Sequence, residues 1–400
     1  MSSELNGQTI TTIVVDQAKI EQRLAEEGQQ AIVTIPVTAT SDVIVGELNG
    51  QIIKDMEQKQ AILIVQTPKG TYTLPTAQLD ISAISEQFGN SVRLQDIIVQ
   101  IAVSSPTAEM LKRIEMLAEQ EGLTLVAQPL DFTVKVTYGG KTIEVSKFNI
   151  YVERMIPLLD GVDLKKITTG LVFEANGTIR HVPTQIVVDA NGKIHAKIHS
   201  LTNSTYFVVQ NPQNFKDVTN HWAKDMVNEM GSRTIINGIG DDLFNPNQAI
   251  TRAEFAAIIV RGLGLELEKG TTSFTDVKIS DWYSSAVQTA YTYKLINGFE
   301  DGDFHPADKI TREQAMSIIA KAMLITDLKA KLPSKEASEL LSSYADVNKV
   351  SEWAKNSIAD SLQAGIITGR SGNELAPKAL ITRAEVAAIL QRLLQQSNLI

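Results

Sequence analysis

The chain has 400 residues, of which 43% are hydrophobic and 21% charged, and its formal net charge is −9 at pH 7. This length exceeds what one ordinary hydrophobic core covers and predicts two or three domains, while the negative charge argues against nucleic acid as the main partner. Cysteine is absent, which excludes disulfides, thiol catalysis and cysteine-based zinc sites.

The start of the chain has neither the basic region nor the apolar core of a signal peptide. No apolar run approaches the roughly eighteen residues that a membrane span requires, so no membrane insertion is expected. If the protein is exported, we expect that its signal peptide has been cut from a longer precursor.

Residues 1–210 alternate between strand and helix patterns. Strands are predicted at Thr12–Val15, Ala31–Val37, Ala61–Gln66 and Ile97–Val103, and helices at Gly50–Gln58, Ser82–Phe88 and Pro106–Gly122. From residue 125 onward strand patterns dominate, with Asn176-Gly177 and Asn191-Gly192 typical of hairpin turns. We therefore predict an α+β domain over residues 1–130 and a β-sandwich-like domain over residues 131–210.

A short linker at residues 211–214 leads into one pattern that recurs three times. The copies align without a gap on the only tryptophans of the chain, Trp222, Trp282 and Trp353. Each tryptophan follows an aromatic-x-Asp-Val segment that contributes Asp217, Asp276 or Asp346. A glycine stands 16 residues after each tryptophan, at Gly238, Gly298 and Gly369. A Thr-Arg pair begins 29 residues after it and contributes Arg252, Arg312 or Arg383.

Each copy is predicted to be a helix, a loop and a second helix, over residues 215–265, 274–325 and 344–395. The glycine is expected to turn the loop with a positive φ. The second helix begins with Thr251-x-x-Glu254, Thr311-x-x-Gln314 or Thr382-x-x-Glu385, which is the capping-box pattern. Apolar stripes on these helices would pack together. The predicted fold is thus multidomain, with an α+β or β-rich N-terminal region and a C-terminal all-α trimer that closes as a pseudo-threefold helical bundle.

These motifs resemble the S-layer homology (SLH) domain, whose signature joins F-x-D-V, a tryptophan, a G-I-x-x-G-like turn and I-T-R-A-E. The last motif is intact at residues 250–254 and 381–385, whereas the middle copy reads Ile310-Thr311-Arg312-Glu313-Gln314. The third copy also departs from the pattern, with Tyr344 for phenylalanine and Leu375 in its loop. The resemblance implies a secreted Gram-positive cell-wall or S-layer protein that binds pyruvylated secondary cell-wall polysaccharide in grooves between repeats.

The arginines offer a chemical reason for such a ligand. Arg252, Arg312 and Arg383 each occupy the first position of a predicted helix, where the helix dipole disfavours a cation. A guanidinium fork beside free backbone N–H groups matches a carboxylate such as a pyruvyl ketal. A nearby tryptophan could stack on a sugar, and the aspartates could accept hydrogen bonds from its hydroxyls.

Each of these residues also has a structural interpretation. The arginines could pair with an aspartate of the adjoining repeat, and the aspartates could cap the first turn of a helix. The tryptophans are more often core anchors than exposed stacking platforms. The glycines are mainly turn formers, although their backbone could also approach the ligand.

No catalytic or cofactor motif accompanies the repeats. Asp301-Gly302-Asp303 superficially suggests a calcium loop, but the glutamate expected at the twelfth position is missing, so no metal site is predicted. His195 and His199 lack a carboxylate at metal-ligand spacing and are interpreted as a surface pair. There is no phosphate-binding loop, nucleophile elbow or dinucleotide fingerprint.

The sequence therefore predicts a nonenzymatic anchor without a cofactor. A first alternative is an S-layer subunit that self-associates into a lattice through its β-rich half. A second is the wall-attached region of a glycoside hydrolase, because a pair of catalytic carboxylates need not be close in sequence.

Overall fold

The computed structural model describes residues 2–5, 7–89, 91–270, 272–370 and 373–400. The chain divides into two compact units, one of residues 1–180 and 184–210 and the other of residues 181–183 and 211–400. The division of the first 210 residues at residue 130, and the bounds of the three repeats, stay predictions.

In the described residues, the first unit contains a ten-stranded sheet. Its strands are β1 (Ser2–Leu5), β2 (Gln8–Val14), β4 (Val43–Asn49), β7 (Ile98–Ser104), β8 (Thr124–Leu125), β9 (Leu130–Tyr138), β10 (Lys141–Glu144), β12 (Thr168–Phe173), β13 (Ile179–Val182) and β16 (Thr205–Gln210). The main path of the sheet runs β1-β2-β4-β7-β9-β16-β12-β13, with β10 beside β9 and β8 beside β16. Strands β2 and β4 pair in parallel.

The described part of the chain also forms a six-stranded sheet of β3 (Ile32–Pro36), β5 (Ile62–Gln66), β6 (Thr71–Pro75), β11 (Lys147–Pro157), β14 (Thr184–Val188) and β15 (Ile194–Thr202). Their order across the sheet is β14-β15-β11-β6-β5-β3. The hairpin predicted at Asn191-Gly192 joins β14 to β15. The alternating burial along β3, β5 and β6 is what a sheet with one buried face requires.

Among the residues described in the first unit, four α-helices accompany these sheets: α1 (Gln17–Glu27), α2 (Gly50–Gln58), α3 (Ile81–Glu86) and α4 (Ala108–Gln120). The last three confirm the helices predicted from sequence, within a few residues. Ile114 and Ala118 of α4 pack in one cluster with Leu171 and Phe207. The apolar face of α4 therefore covers β12 and β16.

The interpretation of His195 and His199 as a surface pair is wrong. His199 is 5% exposed and lies 3.9 Å from Glu153, while His195 Nε2 lies 3.0 Å from Asp189 Oδ2. Burial lowers the pKa of His199 to about 4, because the apolar surroundings penalise its charged form. His199 packs inward and His195 is partly buried, which the sequence spacing of two histidines does not reveal.

The second unit carries seven helices in its described part. They are α5 (Lys224–Ser232), α6 (Arg252–Gly262), α7 (Ser284–Thr292), α8 (Arg312–Ile325), α9 (Ala337–Leu341), α10 (Lys355–Gln363) and α11 (Arg383–Gln396). The first helix of each repeat begins two residues after its tryptophan. The predicted capping boxes before α6, α8 and α11 are confirmed, with both hydrogen bonds present in each. None of the helices in the described ranges combines the length and apolar character that a membrane crossing needs.

The prediction that this region is an all-α trimer closing as a pseudo-threefold helical bundle is wrong. The protein is a mixed structure, and the segments before α6, α8 and α11 are extended and joined by backbone hydrogen bonds. Ile250 N–H donates to the carbonyl of Ile381 at 3.1 Å, Ile381 to Ile310 at 3.1 Å, and Ile310 to Ile250 at 3.2 Å. All three isoleucines are fully buried. Extended backbone occupies this position because each capping threonine has a β conformation, which the apolar periodicity of the helices does not report.

Candidate functional site

Each of the three arginines reaches from the start of one helix into a loop of another repeat. Nε of Arg252 donates to the carbonyl of Phe304 at 2.8 Å. In the same way Arg312 donates to Leu375 at 3.0 Å, and Arg383 to Phe244 at 2.8 Å. Repeat one therefore contacts repeat two, repeat two contacts repeat three, and repeat three contacts repeat one.

A second set of hydrogen bonds holds the same guanidinium groups beside Gly298, Gly369 and Gly238. An Nη2 of each arginine donates to the carbonyl of the residue before the glycine, Asn297, Thr368 or Asn237, at 2.7 to 3.5 Å. Burial lowers the pKa of all three arginines, although a guanidinium stays charged in proteins. Pairing with an aspartate of the adjoining repeat does not occur within 4.0 Å among the described residues.

The three aspartates organise the loops that the arginines contact. Asp276 accepts hydrogen bonds from the backbone N–H groups of Phe304 and His305 at 2.8 and 2.7 Å. Asp217 does the same for residues 244 and 245, and Asp346 for residues 375 and 376. The aspartates therefore satisfy loop N–H groups and do not cap the first helical turn.

The predicted positive φ at Gly238, Gly298 and Gly369 is wrong, because the left-handed residue of each turn lies four positions earlier, at Thr234, Lys294 and Gly365. The glycines are required for space instead. A Cβ on Gly298 would lie 2.5 Å from Cε1 of Phe274 and 2.9 Å from a loop carbonyl oxygen. A Cβ on Gly238 or Gly369 would meet the corresponding aromatic ring at 2.8 Å.

The tryptophans are exposed, so the expectation that they anchor the core is wrong. Trp222, Trp282 and Trp353 have exposed fractions of 60%, 68% and 59%. An indole that leaves most of its apolar surface in water contributes little to the stability of the fold. Most of each indole is therefore open to solvent, although His221 lies beside Trp222 and Tyr283 beside Trp282.

Trp222 and Arg312, which come from different repeats, line the same groove. This groove has a volume of about 540 Å³, and its walls come from all three repeats. Its polar and aromatic lining residues are Trp222, Arg312, Thr368, Arg370, Glu385 and Arg392. The structure thus brings Trp222, Arg312 and Gly369 together, while Asp346 lies behind them as a loop support.

The sequence pattern recurs in known proteins. Residues 214–256, 273–316 and 343–387 each match the family model of the S-layer homology domain. They are three SLH domains. The resemblance stated from the motifs is confirmed over this part of the chain.

Relatives that share this chain's sequence include enzymes and surface-layer proteins. The chain is 38% identical over 200 residues to the exoglucanase XynX of Acetivibrio thermocellus, which covers 50% of this chain and 18% of that protein. It is 37% identical over 214 residues to an amylopullulanase of Thermoanaerobacterium thermosulfurigenes, covering 52% and 11%. It is 31% identical over 177 residues to the surface-layer 125 kDa protein of Lysinibacillus sphaericus, covering 44% and 14%. The matches span less than a fifth of these relatives.

The groove contains charged residues that the sequence argument missed. Arg370 and Arg392 add two cations beside Arg312, and Glu385 lies among them. Arg392 follows the SLH arginine by nine positions, and the other two copies carry Arg261 and Lys321 at that position. A basic residue at the same position of all three copies could have been recognised from the sequence alone. Arg370 has no counterpart in the other repeats and could be found only from the fold.

A second cluster lies on the loop of the middle SLH domain. In the described ranges, ligand atoms of Asp301, Asp303 and His305 lie within 4.8 Å of one another. The loop is held by its own bonds, since Asp301 pairs with His305 at 2.9 Å and accepts from the N–H of Asp303 at 3.0 Å. These contacts explain the geometry without a ligand.

Proposed function

We propose that the three SLH domains hold this chain noncovalently on a pyruvylated secondary cell-wall polysaccharide of Gram-positive bacteria. The observation that carries the proposal is the groove in which the exposed Trp222 lies with Arg312, Arg370 and Arg392. A pyruvyl ketal presents a carboxylate to a guanidinium fork, and an indole face suits the apolar face of a sugar ring. The protein is then a secreted, nonenzymatic part of the cell surface.

The family match and the surface-layer relatives support an anchoring role. The three arginines, the three exposed tryptophans and the glycine backbones would form the ligand contacts, one set for each pair of neighbouring repeats. The three aspartates would act through the loops that they hold. Because the overall charge is −9, the attraction to an anionic glycan must come from these local cations.

The test is retention on purified cell-wall sacculi, either native or chemically depyruvylated. The intact chain is expected to sediment with native sacculi and to remain in solution with depyruvylated ones. The triple variant R252A/R312A/R383A is expected to lose retention. Because these arginines also bridge repeats, the triple variant W222A/W282A/W353A serves as a second test that leaves the core unchanged. Equal retention on both kinds of sacculi would refute the proposal.

Self-assembly into a surface lattice is a second candidate, supported by the similarity to the surface-layer protein of Lysinibacillus sphaericus. In that case the β-rich unit would form the lattice contacts. Electron microscopy of concentrated protein, with and without calcium, tests it. Ordered sheets would favour it, and dispersed particles at all concentrations would count against it.

A further inference from the structure

The groove lined by Trp222 contains three arginines that differ in how far the protein already occupies them. In the described part of the chain, Arg312, Arg370 and Arg392 line it with a single carboxylate, that of Glu385. We infer that Arg392 makes the main contact with the ligand's carboxylate in this groove. The inference rests on the proposed function and names the cation that recognises the pyruvyl ketal.

Arg312 is largely occupied by the protein itself. It is 3% exposed, and each of its three guanidinium nitrogens already donates to an acceptor. Nη1 donates to Glu385 at 2.9 Å, Nε to the carbonyl of Leu375 at 3.0 Å, and Nη2 to the carbonyl of Thr368 at 3.4 Å. Arg312 therefore chiefly positions the loop and the turn beside the groove, and it supplies the smaller share of the contact with a ligand.

Arg370 is more exposed than Arg312 but is also paired. Its Nε and Nη2 donate to the carboxylate of Glu385 at 2.8 to 3.0 Å. Because Arg312 uses the same carboxylate, this acid lies between two guanidinium groups. A ligand carboxylate that approached either group would be repelled by Glu385 and would have to displace it from charge-assisted hydrogen bonds.

Arg392 has no acidic partner. Among the residues that the structure describes, no carboxylate lies within 4.0 Å of its guanidinium group. Its one hydrogen bond in these residues runs from Nη1 to the carbonyl of Ile366 at 3.4 Å, which is longer than the usual limit of about 3.2 Å for such a bond. Arg392 is half-buried. It therefore brings to the groove a charge without an ion pair and N–H groups without a protein acceptor.

The helix α11 places Arg392 away from the acid. Glu385, Ala388 and Arg392 lie at positions i, i+3 and i+7 and share one face of the helix. Two helical turns separate the backbone of Glu385 from that of Arg392, about 10 Å along the axis. Ala388 and Ile389 lie between them, and both line the groove. A sugar ring that covers this apolar stretch can therefore present its carboxylate to Arg392 without meeting Glu385.

The chain itself suggests graded replacements for a test. The middle SLH domain carries Lys321 at the position of Arg392, so a lysine is accepted on the same helix. R392K keeps the charge but loses the guanidinium fork, whereas R392Q removes the charge and keeps a polar side chain. The control is K335Q, since Lys335 is exposed and does not line the groove. K335Q and R392Q change the net charge equally.

Trp222 provides a readout for this groove alone. The chain has three tryptophans, so the background W282F/W353F leaves Trp222 as the only one. Because the two replaced indoles are mostly exposed, the background should fold as the intact chain does. Ligand binding in this background is followed by the fluorescence of Trp222, and calorimetry on the intact chain runs in parallel.

The probe is a synthetic hexopyranoside that carries a 4,6-linked pyruvyl ketal. The matched probe carries an isopropylidene ketal, in which a methyl group replaces the carboxylate. We expect R392Q to bind the pyruvyl ketal about tenfold more weakly and R392K about threefold more weakly, because the fork is lost in both and the charge only in R392Q. K335Q should bind it unchanged. The isopropylidene probe should bind all variants alike.

The proposed function and this inference fail in different ways. If the intact chain binds the two probes equally in calorimetry, the proposed function is overturned, and this inference with it. If the intact chain prefers the pyruvyl ketal but R392Q binds it undiminished, the proposed function stands and the assignment to Arg392 is overturned. Binding in calorimetry without a response of Trp222 would place the ligand outside this groove and overturn the assignment too.

A purely structural role for Arg392 has its own signature. It would weaken the binding of both probes alike in R392Q, and that result would also overturn the assignment. Melting temperatures of the variants show whether they fold. Should R392Q fail to fold, R392K decides, since an undiminished affinity for the pyruvyl ketal in R392K would count against the guanidinium fork as the main contact.

Discussion

The buried carboxylate of Asp346 accepts a hydrogen bond from the N–H of Leu375 at 2.8 Å, and the carbonyl of Leu375 accepts one from Nε of Arg312 at 3.0 Å. One loop residue therefore connects the aspartate of its own SLH domain to the arginine of the preceding one. The other two domain pairs repeat the arrangement. The position of each guanidinium group is thus set by an aspartate that need not touch the ligand.

Replacing Asp346 with alanine should lower the free energy of unfolding by about 3 kcal/mol, because the buried N–H of Leu375 and the part-buried N–H of Ala376 lose a charged acceptor. Asp346 is 4% exposed, whereas Asp217 is exposed, so D217A should cost only about 1 kcal/mol since water replaces the lost bonds. Urea denaturation followed by the helical circular dichroism signal measures both. If D346A and D217A lowered the free energy of unfolding equally, burial of the aspartate would not determine how much it contributes to stability.

Replacing Gly298 with alanine should destabilise the second unit by about 1–3 kcal/mol, because the new methyl group overlaps the ring of Phe274. The double variant G298A/F274L should recover part of this loss by removing the ring atoms that collide. A double-mutant cycle on thermal unfolding gives the coupling energy. A coupling near zero would mean that the glycine serves some purpose other than space.

Replacing Trp222 with alanine should leave the melting temperature within about 2 °C of that of the intact chain, because the indole is mostly exposed. Retention on native sacculi should fall, and W222F should retain more of it than W222A because an aromatic face remains. The measurements are calorimetry and sedimentation with sacculi. A large drop in melting temperature would show that this tryptophan contributes to the packed core.

The first unit should lose stability as the pH falls from 6.5 towards 4. Burial depresses the pKa of His199 to about 4 from the ordinary 6.5, so in this range the unfolded chain binds a proton that the folded chain does not. The contribution is fully present above pH 6.5, and its loss amounts to roughly 3 kcal/mol when complete. The variant H199Q should show a shallower dependence, measured by urea denaturation over this pH range. Identical slopes for H199Q and the intact chain would show that other groups carry the effect.

Local signals in the sequence were sufficient for the helix starts of the SLH domains. The Thr-x-x-Glu or Thr-x-x-Gln pattern determines its own hydrogen bonds, and α6, α8 and α11 begin where it predicts. The exposure of the tryptophans could not be predicted from the sequence, because an aromatic residue at a helix start can lie either in the core or on the surface. The partners of the arginines lie 45 to 146 residues away along the chain. Such contacts depend on how the repeats close on one another, which no periodicity records.

The closed cycle of hydrogen bonds among Ile250, Ile310 and Ile381 determines how many copies the module can contain. Each isoleucine donates to one neighbour and accepts from the other, so removing a copy would strand a buried donor and a buried acceptor at the centre. A fourth copy would find no open edge to join. The number of copies in such a module therefore cannot rise or fall by one, and further binding capacity requires changes within the three copies or a second complete triplet.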